Sequence, residues 1–381
     1  MVKRVLKSYD YLLIAAPILL SLFGVVMVYS ASMVWAVMMH GGTTDLFYSR
    51  QLMWFYVSLL AFIVAAILPY RLYKRLVKFI FIVSILLLVV VLVAGSVSNN
   101  ASSWLYIGGF GFQPAEFIKL GLIIYLAAVF SKKQSYIDQF FPAFGPPLMF
   151  IAIIFGLIFI QPDLGTGGII LLISYVMIAC SGIRFKHLAT LTGAGVLGIL
   201  ILIPFLSDEQ LSRFGSAYHP FADLKGDGYQ LINSYVAIAS GGVSGNGLGE
   251  SIQKFGYLPE PHTDFIMAVI SEELGIFGVA FVLLTLLFII LRGLKYARYT
   301  SDPFASLLAI GICSMFGIQA IVNIGAMIGL LPITGVTLPF ISYGGSSLLL
   351  LMYAAGILVN ISMHTNLRHR VKKQKNIEFT T

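Results

Sequence analysis

Asp264 is the residue of this sequence best suited to act as a catalytic base. It lies in HTDF (262–265), where a Pro-rich polar loop passes into an apolar run that reaches about residue 290. This position predicts that Thr263 or Asp264 caps a helix, because short polar side chains there accept backbone N–H bonds. The helix dipole then favours an ionised carboxylate at neutral pH. Such a group could remove a proton from a sugar hydroxyl, and a plain helix cap is the alternative.

A second cluster, FQPAEFIKL (112–120), contains a carboxylate and an ammonium group three residues apart. Pro114 suits the first turn of a helix, and the i,i+3 spacing places Glu116 and Lys119 side by side. Lys119 could hold a phosphate or pair with Asp264. An internal ion pair that only braces the helix is the alternative.

Two further carboxylates, Glu272 and Glu273, lie inside the apolar run that follows Asp264. Glu272 is eight residues beyond Asp264, about 80° round a helix, so the two residues are expected to share a face. Carboxylates inside membranes normally face a bundle interior or a water-filled cavity. For both glutamates, a structural polar contact between helices is favoured over catalysis.

Other candidate cavity residues are weaker individually. Asp163 lies in QPDLGTG (161–167), which reads as a tight external turn, and Trp104 could be an interfacial anchor. LPFISYGGSS (338–347) breaks the last apolar segment, and such breaks persist where they are buried or line a cavity. The candidates for substrate binding are Trp104, Gln113, Asp163, His262, Glu272, Ser342, Tyr343, Gly344 and Ser346.

The elements that hold these residues are predicted from composition. Of the 381 residues, 59% are hydrophobic and 10% are charged, and the mean hydropathy is +0.93. A soluble domain is about 25% charged, and about 20 apolar residues span a bilayer. We therefore predict an all-α polytopic membrane protein with about ten transmembrane helices, roughly at 11–33, 51–69, 77–95, 114–131, 147–161, 165–182, 187–206, 265–291, 303–329 and 335–363.

The net charge of +8 is explained by membrane topology, through the placement of the basic residues. Most Lys and Arg fall in alternate connections and in both terminal segments, which the positive-inside rule places in the cytoplasm. No nucleic-acid partner is therefore expected. No spacing typical of metal ligands is present and no cofactor is expected, although a divalent cation could assist. The basic residues outside the cytoplasmic segments are Arg50, Lys119, Arg213, Lys225 and Lys254.

One membrane domain (1–366) is expected, followed by a basic tail (367–381) that is predicted to be disordered near anionic lipid. The large extracellular loop between the seventh and eighth helices (207–263) makes the external side the expected working face. Seven to ten residues within 229–240 of this loop are predicted to form an amphipathic helix that lies on the membrane.

Four motifs together resemble one protein family. FQPAEFIKL, QPDLGTG, GLGESIQKFGYLPEPHTDFIMAVISEELG (247–275) and ITGVTLPFISYGGSS (333–347) occur in the order and spacing of the SEDS family (shape, elongation, division and sporulation). The resemblance covers essentially the whole chain. Within the family, the chain looks most like the cell-division member of Bacillus-type bacteria.

The resemblance implies a peptidoglycan glycosyltransferase that polymerises lipid II at the outer face of the cytoplasmic membrane, at the division septum. It implies a class B penicillin-binding protein and other division proteins as partners. It also implies that Asp264 is catalytic and that Glu116 and Lys119 line the same cavity. Many members carry Arg before the Trp of the first external loop, whereas Ser103 precedes Trp104 here. Arg213 or Lys254 could replace that Arg.

Other functions remain open at this point. The elongation or sporulation role of the same family is one alternative, and a lipid II flippase is another. Transport predicts polar groups along the whole path, near the bilayer midplane, whereas the candidates here cluster at the external end. A third reading, a non-catalytic division scaffold, leaves Asp264, Glu116 and Lys119 unexplained.

Overall fold

The computed structural model describes residues 2–41, 43–98, 101–107, 110–134, 137–224 and 226–378. Within these ranges the chain is almost entirely helical, as the long apolar segments predict. The helices are α1 (Val2–Leu6), α2 (Tyr11–His40), α3 (Leu46–Ile67), α4 (Arg71–Ala94), α5 (Pro114–Lys133), α6 (Phe140–Ile160), α7 (Leu164–Ala179), α8 (Phe185–Leu202), α9 (Asp208–Tyr218), α10 (Asp227–Gly241), α11 (Ile266–Tyr299), α12 (Pro303–Met327) and α13 (Gly345–Glu378).

The helices confirm the polytopic membrane fold. Nine helices of the described chain are long and apolar enough to cross a membrane. The sixth predicted span is α7, which has only 16 residues. At 1.5 Å per residue α7 is about 24 Å long, shorter than the ~30 Å hydrocarbon core. Each predicted span therefore overlaps a helix, and one of these helices is short.

A small sheet departs from the all-α prediction. Strands β1 (Ser96–Ser98), β2 (Ala101–Ile107) and β3 (Phe110–Phe112) form an antiparallel sheet in the order β1-β2-β3. Leu105 pairs with Phe112, and Ile107 pairs with Phe110. The segment WLYIGGFGF combines aromatic and branched residues with a Gly-Gly pair, a pattern that favours a hairpin. The sheet places Trp104, which is half-buried, on its middle strand.

The last predicted span was wrong at both ends. Helix α13 begins at Gly345, so residues 335–344 are a non-helical segment before the helix and not part of it. The same helix continues to Glu378, so the tail from Leu367 is helical where disorder was predicted. By contrast, the predicted external helix is confirmed as α10, which buries one face that includes Leu231, Ser234 and Ala237.

Helix α11 contains a kink at Gly275, where the backbone has φ +60°. A Cβ atom at this position would lie 2.4 Å from the carbonyl oxygen of Val243, so only glycine permits this close approach. The Gly-rich loop after α10 therefore packs directly against the kink. This contact brings the loop alongside Glu272 and Glu273.

Both glutamates before the kink bind this loop. The carboxylate of Glu273 forms a 2.9 Å ion pair with Lys254, and both side chains are fully buried. Ser30 of α2 donates to Glu273 as well. Glu272 accepts hydrogen bonds from the hydroxyl of Ser251 and the backbone N–H of Ile252. Lys254, one of the two cations that could replace the missing Arg, is instead paired with Glu273 in the protein interior.

The Lys254–Glu273 pair generates a stability prediction. Lys254→Met leaves the Glu273 carboxylate buried without a counter-charge, and we expect a loss of about 3–5 kcal/mol in the free energy of unfolding. Thermal unfolding of the purified protein in detergent, followed by intrinsic fluorescence, measures the effect. The double variant Lys254→Met/Glu273→Gln should regain most of the loss. Lys186→Met, at an exposed lysine, is the control; equal melting of Lys254→Met and wild type would contradict this account.

Candidate active site

The candidate active site lies at the external end of α12, where the start of α11 and the segment 333–336 converge. A small recess there is lined by the following residues: Asp264, Phe265, Asn323, Ala326, Met327, Ile333, Thr334, Gly335 and Val336. Asp264 is the only titratable side chain in this set. The recess therefore presents one carboxyl group against a largely apolar wall.

Asp264 does not cap α11 as the sequence predicted. The helix begins at Ile266, and its N-cap residue is Phe265, which forms no side-chain cap hydrogen bond. Instead the Thr263 hydroxyl lies 2.8 Å from the carbonyl oxygen of Glu260 and 2.8 Å from the Asp264 carboxylate. Thr263 thus closes the turn before the helix and orients the carboxylate. That turn places the half-buried Asp264 side chain at the recess.

Burial at the recess raises the pKa of Asp264 to about 6, although the hydrogen bond from Thr263 opposes the shift. The negative charge of Glu260 raises this pKa further, and the positive charge of Arg213 lowers it. A carboxyl group with this pKa is still mostly ionised at neutral pH, in agreement with the sequence expectation. It is also a stronger base than an ordinary aspartate, as general-base catalysis near neutral pH requires.

Asn323 of α12 fixes the backbone on both sides of the recess. Its Nδ2 atom donates to the carbonyl oxygens of Asp264 and Val336, at 2.7 Å in each case. These bonds use the amide nitrogen, so Oδ1 is the atom left for another partner. Among the described residues, Asn323 Oδ1 and Thr334 Oγ1 are buried atoms without a hydrogen-bond partner. The walls of the recess therefore offer oxygens that can accept hydrogen bonds.

The predicted Glu116–Lys119 pair is confirmed near the start of α5. Lys119 Nζ lies 2.7 Å from Glu116 Oε1, and the lysine is 1% exposed. The same Nζ donates to Gln319 Oε1 at 3.0 Å. Gln319 in turn donates to the backbone carbonyl of Thr337 at 3.0 Å. The buried charge is thus held by one carboxylate and one amide.

Helix α12 connects the two halves of the site. Gln319 and Asn323 are one helical turn apart and so project from the same face. Gln319 holds Lys119, whereas Asn323 holds the backbone of Asp264. Both amides also bind the segment 336–337. That Glu116 and Lys119 line the same cavity as Asp264 stays a prediction, because neither residue lines the recess. The hydrogen bonds of Gln319 and Asn323 relate the two clusters through α12.

Asp163 and Gln113 lie beside the Lys119 cluster. The Asp163 carboxylate caps α7 by accepting from the Thr166 N–H at 3.0 Å, which agrees with its predicted turn role. Gln113 Nε2 donates to the other carboxylate oxygen at 3.3 Å. Burial raises the pKa of Asp163, and the positive charge of Lys119 opposes the shift. The turns before α5 and α7 therefore meet at the same external corner.

The remaining candidates organise the segment before α13. The N–H of Tyr343 donates to the carbonyl of His262, whose ring packs 4.3 Å from that of Phe47. Ser342 accepts at its hydroxyl from the Leu338 N–H, and its carbonyl accepts from Gln51. Gly344 adjoins α13, and Ser346 is buried in its first turn. These contacts join α3 to the Pro-rich loop that precedes Asp264.

Of the candidates named from the sequence, Asp264 alone lines the recess, and two residues of the site were missed. Glu272 is buried against the external loop, not in the cavity predicted for it. Gln319 and Asn323 were not predicted. Their signal in the sequence was a pair of amides at i,i+4 inside an apolar helix, where polar side chains usually bind a neighbouring segment.

Arg213 of α9 is the other cation that could replace the missing Arg before Trp104. It forms a 3.1 Å ion pair with Glu209 and lies 4.0 Å from Asp227. Its charge also favours the ionised form of Asp264. Lys225, an external basic residue of the sequence, lies outside the described residues. Across the described chain, no group of three or more His, Cys, Asp or Glu could hold a metal ion.

Comparison with known proteins identifies the family. A family model described as "Cell cycle protein", for FtsW, RodA and SpoVE, matches residues 10–367. The chain belongs to this family. Its members in the comparison include the probable peptidoglycan glycosyltransferase FtsW of Bacillus subtilis, at 51% identity over 98% of this chain and 96% of the relative. Stage V sporulation protein E of the same organism is 40% identical over 94% and 98%.

Solved members of the FtsW/RodA/SpoVE family have the same fold. A chain from a peptidoglycan synthase complex superposes with a TM-score of 0.76 at 26% identity, covering 94% of this chain and 98% of that one. RodA of Thermus thermophilus gives a TM-score of 0.68 at 26% identity, covering 93% and 96%. The polytopic helical architecture is therefore that of the family.

The raised pKa of Asp264 predicts how activity depends on pH. A general base must be deprotonated, so polymerisation should increase as the pH rises through about 6 and fall about tenfold per unit below it. Rates of glycan-strand formation from labelled lipid II, measured across this range, check the midpoint. Asp138→Asn removes an exposed carboxylate at the other membrane face and should leave the midpoint unchanged. A rate that is flat across the range would contradict Asp264 as the base.

Asn323 gives a second prediction from the same geometry. Asn323→Leu removes both bonds to the recess backbone, and displacement of Asp264 should lower the rate per folded molecule by about 100-fold. Asn360→Leu is the matched control, because Asn360 also bonds two backbone groups, of Ala66 and Tyr70, at the opposite end of the bundle. Both variants should melt earlier, but only Asn323→Leu should lose activity. Equal losses of activity would contradict a role for Asn323 in positioning.

Proposed function

We propose that this protein is a peptidoglycan glycosyltransferase that polymerises lipid II, with Asp264 as its general base. The family membership and the name of the 51% identical relative support this enzyme class. The observation that carries the assignment of the base is the position of Asp264. Its carboxyl group lies at an external recess with a pKa of about 6 and an oriented side chain.

The proposed reaction transfers a sugar from one lipid-linked molecule to another. The 4-hydroxyl of the acceptor GlcNAc gives its proton to Asp264 as its oxygen forms a bond to C1 of the donor MurNAc. The bond from C1 to the diphosphate oxygen breaks, and undecaprenyl diphosphate leaves with its electron pair. Attack opposite to the leaving group inverts the configuration at C1. The lipid carrier activates the sugar, so no soluble nucleotide is needed.

The buried Lys119 ammonium is proposed to act through its electric field. Glu116 and Gln319 hold Nζ in place, so the side chain is not free to move with a substrate. A fixed positive charge near a departing diphosphate stabilises the transition state without reorganisation. Glu116 sets the position of this charge, and Gln319 relates it to α12. Both are therefore positioning residues in this proposal.

The other polar atoms of the recess are proposed to bind sugar hydroxyl groups. Asn323 Oδ1 and Thr334 Oγ1 are buried acceptors beside Asp264. A buried acceptor without a donor is costly, so a donor from the substrate would relieve that cost. Trp104, Gln113, Asp163, His262, Tyr343 and Gly344 are proposed to border the same external cavity.

The biological setting is also a proposal. The 51% identical relative is named FtsW and the family model is described as a cell cycle protein, whereas the 40% identical relative is named for sporulation. This difference supports a role in cell division, at the septum of the cell membrane. A structural relative belongs to a peptidoglycan synthase complex, which supports a class B penicillin-binding protein as the partner here. Other division proteins would localise this pair.

Replacing the base tests the proposal. Asp264→Asn keeps the shape of the side chain but cannot accept the proton, so glycan strands from labelled lipid II should fall below detection with the partner present. Because the carboxylate is disfavoured by burial, the variant should melt at the same temperature as wild type or higher at pH 8. Asp138→Asn is the control at an exposed carboxylate.

Two results would contradict the assignment. Polymerisation by Asp264→Asn at the wild-type rate would exclude Asp264 as the base. Movement of labelled lipid II across vesicles by the wild-type protein, without glycan strands, would instead favour a transporter. A variant that loses polymerisation but keeps its melting temperature and partner binding supports the catalytic role.

A further inference from the structure

A second cavity lies at the end of the helical bundle remote from Asp264. It has a volume of about 800 Å³ and opens between the first turn of α4, the α11–α12 connection and residues 364–371 of α13. Its lining includes two arginines, two histidines and no carboxylate. The lining residues are Tyr70, Arg71, Tyr299, Thr300, Ser301, His364, Thr365, Leu367, Arg368, His369 and Val371.

The walls of this cavity are held by specific contacts. Arg368 Nη1 donates to the hydroxyl of Ser301 at 2.6 Å, which ties α13 to the α11–α12 connection. The guanidinium of Arg71 lies 5.7 Å from the ring centroid of Tyr70. The hydroxyl of Tyr70 donates to Asp302 at 2.9 Å. Helices α4 and α13 and the α11–α12 connection therefore bring their side chains to one opening.

The positive charges of the two arginines are available to bind an anion. Neither Arg71 nor Arg368 takes part in an ion pair among the residues that the structure describes. The adjacent carboxylate, Asp302, already accepts from Tyr70 and from the N–H of Phe304. Both arginine side chains are exposed. The cavity is consequently a positively charged site without an internal counter-ion.

The location of the cavity identifies a class of anion. The positive-inside rule places this end of the bundle at the cytoplasmic leaflet, which carries anionic lipids. Helix α4 is exposed just beyond Arg71, where Leu76 and Phe79 are 41% and 65% exposed. Leu367 and Val371 add apolar surface to the lining itself. A molecule that combines a phosphate with acyl chains matches both surfaces.

We propose that this cavity binds the phosphate of an anionic glycerophospholipid from the cytoplasmic leaflet. Arg71 and Arg368 bind the phosphate oxygens, because a guanidinium can donate two parallel hydrogen bonds to such a group. His369 borders the headgroup, and the acyl chains lie against α4. The bound lipid neutralises the two arginines and joins α4, α13 and the α11–α12 connection. Such a lipid stabilises the bundle at the face opposite the sugar chemistry.

Lipid binding is measured with the full-length protein purified in detergent. Its melting temperature is followed while phosphatidylglycerol is added, and the apparent affinity is taken from the concentration dependence. Phosphatidylcholine and inorganic phosphate are titrated in parallel. We expect a rise with phosphatidylglycerol alone. Each arginine contributes about fivefold in affinity near an anionic surface, so Arg71→Gln/Arg368→Gln should bind about 25-fold more weakly.

Matched variants separate a built site from general charge. Arg75→Gln removes the same charge from α4 outside the cavity lining and should keep the wild-type affinity. Arg71→Lys/Arg368→Lys keeps both charges and should lose less affinity than the glutamine variant. If the double glutamine variant does not fold, Arg71→Gln alone provides the test, because this side chain is exposed and contacts Tyr70 through its ring and its hydroxyl.

Three outcomes overturn the proposal. An unchanged affinity in the glutamine variants would exclude the two arginines as ligands. An equal loss in Arg75→Gln would mean that diffuse surface charge attracts the lipid. A rise in melting temperature with inorganic phosphate that matches the rise with phosphatidylglycerol would assign the cavity to a soluble phosphate compound. Selective loss of phosphatidylglycerol binding in the cavity variants supports the lipid site.

Discussion

The two hydrogen bonds from Asn323 are the interaction on which the external site depends. An amide inside a membrane helix must find partners within the protein, because lipid offers none. Here the partners are the backbone of Asp264 and of Val336, two segments far apart in the chain. One turn earlier, Gln319 satisfies the same requirement through Lys119 and Thr337. Local satisfaction of two amides thus assembles a site from three helices and a loop.

Hydrophobic periodicity and charge were sufficient to predict the features that depend on residues close together in the chain. The membrane spans followed from apolar length, and the Glu116–Lys119 pair followed from helical spacing. Near-neighbour spacing could not predict whether the turn at Asp264 caps α11, because the Thr263 hydroxyl bonds to the preceding turn instead. The sheet at 96–112 was missed because its short strands lie in a loop between long apolar runs.

Contacts between residues far apart in the chain could not be predicted from the sequence. Glu273 finds its counter-charge in Lys254, which lies in a loop whose path depends on the glycine at position 275. Nothing in local spacing reveals that close approach. In the same way, Gln319 and Asn323 bond to Lys119 and Asp264, which lie on other segments far from α12 in the chain. The sequence indicated that these polar groups needed partners without indicating which ones.

The shortness of α7 has a consequence for the surrounding bilayer. A helix about 24 Å long is shorter than a hydrocarbon layer of about 30 Å, and local thinning of the bilayer is one of the ways in which such hydrophobic mismatch is relieved. The turn at Asp163, where α7 begins, lies beside the buried Lys119 charge. Headgroups and water would follow the thinned surface inward at this corner. Under the proposed function, such thinning would shorten the path of the substrate diphosphate to Lys119 while the lipid tail stays in the membrane.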